Sequence, residues 1–378
     1  MTDFVLKEIV HNDIAKELAD IGFDEGYRFV AEDKFRYKNI KIFNLTPAQA
    51  NIIKQTALST GADCGTHRDV ITGKADLSDL LLGGSISQLI KISEKLKKQP
   101  FNLSKLAEQI KALTEQKHKI NTKIAGILNI TPDSFSDGGK YFEPIDAQKH
   151  LIQLIEDGAD IIDIGAESTK PYSQDVSAEE QIKRLTPVLR FIQEENIKIP
   201  ISIDTRSSIV ADFVLNNGAS IINDVSGFDY DTELPKVVAG YGATVIIQHS
   251  KGTPQNMQEN PKYNNVTEEI FFSLKNKSEY AHSIGIKNII VDPGIGFGKT
   301  KKDNFEILNR ITELYSLKYP VMVGVSRKSL LGVKNNDNEL KDSLSLALSY
   351  PLIQKGIDYL RVHNVKLHKT ILNSLTIQ

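Results

Sequence analysis

Short, mainly apolar runs recur from residue 124 onward, and a polar or charged residue follows each of them. The runs are rich in Ile and Val and occupy residues 124–128, 161–164, 201–203, 221–222, 244–247, 289–291, 321–325 and 359–362. Such runs are typical of parallel strands that are buried on both faces. The polar residues after them are Asn129, Glu167, Asp204, Asn223, Gln248, Asp292, Ser326 and His363. This pattern predicts an α/β fold, a (β/α)8 TIM barrel, with its chemistry at the rim where the strands end.

Amphipathic stretches separate the runs and are predicted to be the barrel helices. They cover residues 146–157, 178–194, 207–216, 266–283, 304–317, 341–354 and 365–375. Ser177 followed by Glu180 forms a capping box, which marks the start of the second helix. Alternation of strand and helix at this spacing favours parallel βα units over hairpins.

The length of the chain requires a second unit. A TIM barrel takes about 250 residues, whereas the chain has 378. Residues 1–118 are therefore predicted to form a small α+β N-terminal domain, and residues 119–378 the barrel. The N-terminal part is expected to contain a helix over 47–59, a strand over 63–71, a helix over 78–98 and a polar-faced linking helix over 105–116. Its role is packing against the barrel or oligomerisation, and the sequence does not decide between them.

Composition and charge exclude several classes of protein. A net charge of −2 excludes bulk attraction to nucleic acid or to an anionic membrane. No apolar stretch reaches the roughly 18 residues that a membrane span needs, and the first residues lack the pattern of an export signal. One cysteine, Cys64, cannot form an internal disulfide, which predicts a reducing cytoplasm. Any anionic substrate must then be held by a local cluster of basic side chains.

The segment 126–139 is a strand that leads into a loop rich in Ser, Asp and Gly, with one isolated aromatic residue, Phe135. An ordinary surface loop is the simpler interpretation. The glycine pair and the isolated Phe135 favour a lid over a ligand instead.

With this segment the chain resembles the dihydropteroate synthases, a family of pterin-binding barrels. The similarity continues through residues 163–171, 202–205, 222–227, 292–299, 324–329 and 361–365, in the same order and at the strand ends. It covers the barrel and leaves residues 1–118 outside. Several separate motifs in order are far more specific than any one of them.

The resemblance implies a transferase of folate biosynthesis and a sulfonamide target. Such enzymes condense 6-hydroxymethyl-7,8-dihydropterin diphosphate with p-aminobenzoate, giving 7,8-dihydropteroate and pyrophosphate. The implied step is dissociative: diphosphate leaves first, and the amine then attacks a cationic methylene. The implied assembly is a homodimer, and no nucleic-acid or membrane partner is expected.

The pterin ring is assigned to Asp204, Asn223, Asp292 and Lys328. Carboxylates can accept the paired N–H groups of its guanidinium-like edge, and an amide can both donate and accept there. Taken singly, an Asp or Asn at a strand end is as often a helix cap, but a converging set favours a site. The catalytic residues implied by the resemblance are Asp204, Asp292, Lys328 and Asp137, with Asp137 closing over the amine.

The diphosphate is assigned to Arg361 and His363, which lie two apart on the last strand and so face the same side. Asn129 completes this group as a ligand of Mg²⁺, which would neutralise charge on the leaving diphosphate. The aminobenzoate site implied by the resemblance comprises Thr169, Pro171, Phe135, Phe297 and Ser329. Phe135 and Phe297 could equally be core residues.

Five positions depart from the family's usual pattern, one of them Ile295 in place of a common Phe. Lys170 stands where Arg is usual and Tyr172 where Gly is usual, while Gln248 and Ser250 replace the Met residues around a His. Lys keeps the charge of Arg but loses its bidentate fork. We expect altered pocket walls and an intact pterin-recognition set.

Two other functions fit part of the pattern. A methyltransferase barrel acting with a corrinoid partner would share the Asp and Asn set but would not need Arg361 and His363. An inactive pterin-binding scaffold would be expected to have lost a strand-end Asp, Lys328 or His363, and the sequence retains them.

Overall fold

The computed structural model of the chain describes residues 6, 7, 9, 14–115, 121–131, 144–167, 175–252, 257, 259–333 and 337–376. The chain divides into two compact units, residues 1–117 and 118–378. Among the described residues, no helix has both the length and the apolar character to cross a membrane.

The first unit is a three-stranded antiparallel sheet with helices. In chain order its elements are α1 Ile14–Asp20, α2 Arg28–Phe35, β1 Tyr37–Leu45, α3 Pro47–Leu58, β2 Asp63–Thr66, β3 Ser78–Ser85, α4 Ile86–Leu96 and α5 Leu103–Glu115. The strand order is β1-β3-β2, so β3 is central. Its core joins the sheet to α3, α4 and α5 through fully buried residues such as Ile53, Leu82 and Leu89. An α+β unit at this end of the chain is confirmed.

The predicted helix over 78–98 is wrong in its first half, which is strand β3. Leu80 and Leu82 are buried whereas Leu81 between them is 52% exposed, and this alternation is the period of a strand. The helix begins only at α4, where Ser85 and Gln88 form a capping box. Strand and helix adjoin without a loop, and Gly83, Gly84 and Ser85 are the sequence signals that separate them.

Two further predictions for this unit need correction. The strand predicted over 63–71 ends at Thr66, because Arg68–Val70 turns as a 3-10 helix. Helix α5 is not merely a polar-faced linker. It buries Leu103, Ala107 and Ile110, and the Ser93 hydroxyl of α4 donates to the Ala107 carbonyl at 2.9 Å. The sequence analysis missed β1, α1 and α2.

The second unit is the barrel. Its strands are β4 Lys123–Asn129, β5 Ile161–Gly165, β6 Ile201–Asp204, β7 Ile221–Asp224, β8 Thr244–Gln248, β9 Ile289–Asp292, β10 Met322–Val323 and β11 Tyr359–Val362. Its helices are α6 Pro144–Glu156, α7 Ala178–Glu194, α8 Ser208–Asn216, α9 Leu234–Tyr241, α10 Val266–Ser283, α11 Lys301–Asn309, α12 Asn338–Gln354 and α13 Val365–Thr376. Helix α9 was not predicted, and the predicted helix over 304–317 is α11 followed by a 3-10 segment, Ile311–Leu317.

The eight strands are parallel and form a closed ring. The hydrogen-bonded order runs β10-β11-β4-β5-β6-β7-β8-β9. A parallel bridge between Val291 and Val321 joins β9 to the start of β10, and the Val291 N–H donates to the Pro320 carbonyl at 2.9 Å. The predicted TIM barrel is confirmed.

The interior of the barrel is apolar near the N-terminal ends of the strands, here called its lower part, and polar near their C-terminal ends. An apolar cluster made only of strand residues plugs its lower part, with members Ala125, Ile161, Ile221, Ile246, Ile290 and Met322 and Tyr359 packed against it. The alternate apolar strand residues, such as Ile162, Ile203 and Ile222, pack outward with the helices in a separate core. Because side chains alternate along a strand, residues two positions after the plug also face inward, nearer the rim.

Candidate active site

The inward positions above the plug carry polar and charged side chains. Asp163, Asn223, Gln248, Asp292 and Arg361 each stand two residues after a residue of the plug. All except Arg361 are buried. The alternation that builds the apolar plug therefore also builds a polar layer above it, with side chains from five different strands; Asn223, Asp292 and Arg361 are the predicted site residues among them.

Asp163 is the centre of this layer, although the sequence analysis gave it no role. Its carboxylate accepts from the Ser202 hydroxyl at 2.6 Å and from the Asn223 amide nitrogen at 3.2 Å. It also accepts from Nε of Arg361 at 2.5 Å. Because its NH₂ group faces Asp163, the Asn223 amide is oriented by this carboxylate.

Arg361 bridges two carboxylates. Its second contact runs from Nη2 to Oδ2 of Asp204 at 2.8 Å. Burial raises the pKa of Asp204 to about 7, although the Arg361 charge opposes this and Asp163 adds to it. Burial by itself would lower the pKa of Arg361, but the charges of Asp163 and Asp204 raise it overall. A fixed cation therefore lies against the acceptor predicted for the pterin edge.

Asp292 and Lys328 form the opposite part of the layer. Burial raises the pKa of Asp292, with Lys328 opposing it, and Oδ1 of Asp292 accepts from the Gly294 N–H at 2.6 Å. Burial lowers the pKa of Lys328 to about 8 against the attraction of Asp292. The Lys328 ammonium donates to the Ile295 carbonyl and lies 4.8 Å from the centre of the Phe297 ring.

Gly324 leaves room for the two cations. A Cβ at this position would lie 3.6 Å from Cβ of Arg361 and 3.7 Å from the Lys328 nitrogen. A larger side chain would fill the space between these groups. The small residue two positions after the plug residue Met322 is thus part of the site.

His363 lies beside Ser326 above Arg361. The Ser326 oxygen is 2.9 Å from Nδ1 of His363 and accepts from the His363 backbone N–H at 3.1 Å. Burial lowers the pKa of His363 to about 3, and the charges of Arg327 and Arg361 add to the effect. His363 is therefore a neutral side chain, able to donate a hydrogen bond but not to supply charge.

The other residues that follow β10 differ in their exposure and their contacts. Ser329 is exposed and begins the 3-10 helix Ser329–Leu331. Arg327 donates Nε and Nη2 to the two oxygens of Asp342 at 2.7 and 2.8 Å, a bidentate pair that fixes the strand end to α12. Arg327 is thus a structural residue, and Lys328 is the cation of this segment that reaches the polar layer.

Asn129 and Gly165 are paired in register at the ends of β4 and β5. A Cβ on Gly165 would lie 3.2 Å from the Asn129 amide oxygen and 3.8 Å from Cβ of Asp204. The glycine leaves a small cradle beside that oxygen. Within the described ranges, no group of three His, Cys, Asp or Glu residues could hold a metal ion, so a cation here would have Asn129 as its protein ligand.

Four predicted site residues, Phe135, Asp137, Thr169 and Pro171, lie outside the described residues, as do Lys170 and Tyr172. The residues that border the segment 168–174 are described. Arg206, buried after β6, donates to Glu167 at 3.1 Å and to Asp175 at 2.7 Å. The Arg206 guanidinium thus links the two ends of that segment, a role that the sequence analysis missed.

The departures at Gln248 and Ser250 lie within the described part. Gln248 is buried in the polar layer, and its amide donates to the Val225 carbonyl at 3.3 Å. The Ser250 hydroxyl donates to the Gly252 carbonyl at 3.4 Å. The family's usual pattern has an apolar Met before the His, whereas the amide of this chain joins the end of β8 to the residue that follows β7.

Comparison with known proteins places the barrel in one family. The family described as pterin binding enzyme matches residues 125–363. Dihydropteroate synthase of Clostridium beijerinckii is 41% identical over 249 residues, covering 65% of this chain and 89% of that protein. The bifunctional dihydropteroate synthase/dihydropteroate reductase of Helicobacter pylori is 34% identical over 347 residues, covering 90% of both chains. The structure of Xanthomonas albilineans dihydropteroate synthase in complex with 7,8-dihydropteroate matches 68% of this chain and 94% of that one, at 31% identity and a TM-score of 0.61.

Proposed function

The chain belongs to the dihydropteroate synthase family of pterin-binding enzymes, and we infer that it joins 6-hydroxymethyl-7,8-dihydropterin diphosphate to p-aminobenzoate. The products are 7,8-dihydropteroate and pyrophosphate. The observation that carries the inference is the polar layer of Asp163, Asp204, Asn223 and Asp292, with the cations Lys328 and Arg361, above the plug of a closed barrel. The relatives favour this activity over the corrinoid methyltransferase and the inactive scaffold.

We propose that Asp204, Asn223, Asp292 and Lys328 hold the pterin. Asp204 and Asp292 are buried acceptors for the ring N–H and NH₂ groups, and such charge-assisted bonds are stronger when water is excluded. The Asn223 amide oxygen faces away from Asp163, so it is free to accept as well. Lys328 supplies a donor for the ring carbonyl or nitrogen.

The same carboxylates support the proposed dissociative step. As the C–O bond to the diphosphate breaks, positive charge spreads from the methylene carbon into the dihydropterin ring, and buried carboxylates at the ring edge stabilise it. The aminobenzoate nitrogen then forms the new C–N bond and loses a proton. No covalent intermediate with the protein is required, so the barrel contributes positioning and electrostatics.

We assign the diphosphate to Arg361, His363 and Asn129. Binding of the pterin edge at Asp204 would release Nη2 of Arg361 from its present acceptor, freeing the guanidinium to meet the leaving group. Neutral His363 would donate a hydrogen bond. Mg²⁺ fits the Asn129 oxygen and the cradle left by Gly165, because Mg²⁺ is commonly held by one or two protein oxygens together with phosphate and water. When bound, it would neutralise charge on the diphosphate.

The aminobenzoate site is proposed at Phe297 and Ser329, together with Thr169, Pro171 and Phe135, while Asp137 would close over the amine. Phe297 is half-buried and lies beneath the Lys328 ammonium, and Ser329 is exposed at the same rim. An aromatic wall beside a cation suits a flat aromatic carboxylate.

A direct assay tests the function. The purified protein would be incubated with the pterin diphosphate and Mg²⁺, and pyrophosphate release measured with and without p-aminobenzoate. We expect release that depends on the amine and equals the dihydropteroate formed. Release that is independent of the amine, or none at all, would contradict the proposal.

The raised pKa of Asp204 predicts the pH dependence of the reaction. Asp204 is protonated in the folded, unliganded state below about pH 7, and a protonated carboxyl cannot accept two ring N–H bonds. We expect kcat/KM for the pterin diphosphate to fall as the pH drops below about 7. The unfolded chain releases this proton near pH 4, so the same group makes the folded state less stable as the pH rises between these values. In a kcat/KM profile, the acid limb should move or vanish in Asp204→Asn, and an unchanged limb would contradict its origin in Asp204.

A second candidate activity is reduction of the product. The alignment with the bifunctional Helicobacter pylori protein covers more of this chain than the barrel contains, so it includes part of the N-terminal unit. Reduction would add a hydride to C6 and a proton to N5 of 7,8-dihydropteroate, with a reduced nicotinamide or flavin as hydride donor. The test is formation of tetrahydropteroate by the full chain from added 7,8-dihydropteroate and each donor.

Deleting the N-terminal residues separates the two activities. We propose that residues 119–378 are an independent domain, because the barrel is closed and has its own core. We expect the shortened protein to retain most of its synthase activity and to lose the reductase activity. Loss of both activities in a folded fragment would contradict the division of function, and reduction by the fragment would place that activity in the barrel.

The assembly state and the cellular compartment are the last two properties that we propose. We propose a homodimer, as the family resemblance implies, to be checked by light scattering after size-exclusion chromatography. We also propose action in the cytoplasm, which the single Cys64 supports because the chain cannot form an internal disulfide.

A further inference from the structure

We propose that Lys299 is a positioning residue of the synthase site: it fastens the loop after β9 to the end of β8 and fixes His249 as the Nε2–H tautomer. Through the Phe297 carbonyl, it thereby holds the aromatic wall of the aminobenzoate site. The second part rests on the proposed function, because it needs Phe297 to contact that substrate.

Lys299 is a buried side chain whose nitrogen has three polar neighbours. It is 2% exposed. Its nitrogen lies 3.0 Å from Nδ1 of His249, 3.1 Å from the His249 carbonyl and 2.8 Å from the Phe297 carbonyl. These acceptors belong to two different loops, one after β8 and one after β9, so Lys299 joins the loops rather than stabilising either alone.

The backbones of the two loops meet so closely that only glycine fits between them. A Cβ on Gly294 would lie 1.9 Å from the His249 carbonyl oxygen, and one on Gly298 would lie 2.1 Å from the Lys251 carbonyl oxygen. Both glycines also have positive φ, +67° and +63°. The Tyr263 hydroxyl adds a bond to the Gly298 carbonyl at 2.8 Å. The loop after β9 therefore packs directly on the end of β8, with the Lys299 nitrogen inside the contact.

The charge of Lys299 decides the state of the histidine. Burial lowers the pKa of Lys299 well below its usual range, and the charge of Asp292 opposes this shift. With its proton retained, the ammonium has three N–H donors and no acceptor, and it donates to the two carbonyls and to the ring nitrogen. Nδ1 of His249 must then carry a lone pair, and the ring proton must be on Nε2. In agreement with a neutral ring, burial and then the Lys299 charge lower the pKa of His249 to about 2.

Phe297 connects the contact between the two loops to the proposed aminobenzoate site. Lys299 holds the Phe297 carbonyl, and Lys328 lies against the ring of the same residue and donates to the Ile295 carbonyl. Gly296, the residue between, donates its N–H to Asn304 at 2.7 Å. The Phe297 backbone is thus held through its carbonyl by Lys299, and its ring lies against the Lys328 ammonium.

The first test measures the tautomer of His249 directly and does not require catalytic turnover. Nitrogen-15 NMR of the full chain at pH 7, with the His249 signals assigned by their loss in His249→Gln, should show Nδ1 unprotonated and Nε2 protonated. In Lys299→Met, which removes the donor, we expect both tautomers to be populated. A wild-type ring protonated on Nδ1, or a ring that is the same in wild type and Lys299→Met, would overturn the proposal.

The second test reads the consequence for the substrates. In Lys299→Gln, which keeps two donors but not the third, we expect KM for p-aminobenzoate to rise about tenfold, the equivalent of one lost hydrogen bond. KM for the pterin diphosphate should change less than about twofold. The matched control is Lys302→Met, an exposed lysine on α11, which should match wild type. Equal increases in the two KM values, or no increase, would overturn the positioning role even if the NMR result held.

Discussion

Asp204→Asn is expected to lower kcat/KM for the pterin diphosphate by about 2 to 4 kcal/mol, or roughly 30- to 1,000-fold. The amide keeps the size of the carboxylate but replaces one acceptor oxygen with a donor, so the pterin edge meets an N–H where it needs a lone pair. The substitution also removes the negative charge from the only acceptor of Arg361 Nη2 that the described residues show. Steady-state kinetics with varied pterin diphosphate would measure the loss.

The control for this substitution is Asp212→Asn. Asp212 is exposed on α8, the helix that follows the same strand, and accepts from the Tyr241 hydroxyl at 3.0 Å. Asp212→Asn changes the same functional group at a position away from the polar layer, and the kinetics of this variant should match those of the wild type. If Asp204→Asn retained wild-type kcat/KM, the pterin assignment would be wrong, whatever its effect on stability.

Arg361→Ala should have two effects of different origin. It leaves the buried carboxylates Asp163 and Asp204 without their counter-charge, and loss of one partner from such a group lowers the free energy of unfolding by about 3 to 5 kcal/mol. It also removes the proposed diphosphate ligand. Binding of the pterin diphosphate should therefore weaken far more than binding of the unphosphorylated pterin, as measured by titration calorimetry with each ligand.

A second substitution separates these effects. Adding Asp163→Asn to Arg361→Ala removes one of the two unpaired buried charges and should recover part of the lost stability, but not the affinity for diphosphate. Arg310→Ala is the control, because this half-exposed arginine pairs with Glu306 and Glu313 on the surface and should change stability by less than about 1 kcal/mol. Equal weakening of both ligands by Arg361→Ala would contradict the diphosphate role.

The barrel was predictable because its sequence signal is repeated and local. Each buried strand is a short apolar run, and each polar stop falls at the rim that the fold dictates, as at Asn223 and Asp292. Convergence follows from topology alone, since parallel strands in a closed ring end at the same rim. Only the family resemblance, however, identified the ligand.

The features that the sequence did not predict depend on the alternation of side chains along a strand and on contacts between residues far apart in the chain. Asp163 lies inside an apolar run and reads as an interruption, yet it faces inward two residues after Ile161 and accepts from three site residues. Arg361 was assigned by its position on the last strand, but the strand position does not show that its guanidinium turns inward to Asp204. In the N-terminal unit, β3 runs directly into α4; the Gly83–Gly84 pair and the Ser85–Gln88 capping box mark the change, and the predicted helix over 78–98 passed over both signals.

The central claim is that side chains from separate strands recognise one flat heterocycle inside the barrel mouth. A crystal structure of the protein with 7,8-dihydropteroate bound tests it most directly. We predict the pterin ring above the apolar plug, with Asp204, Asn223, Asp292 and Lys328 all within hydrogen-bond distance of its edge and Arg361 turned away from Asp204. A ligand bound elsewhere, or a ring that contacts fewer than two of these four side chains, would contradict the account.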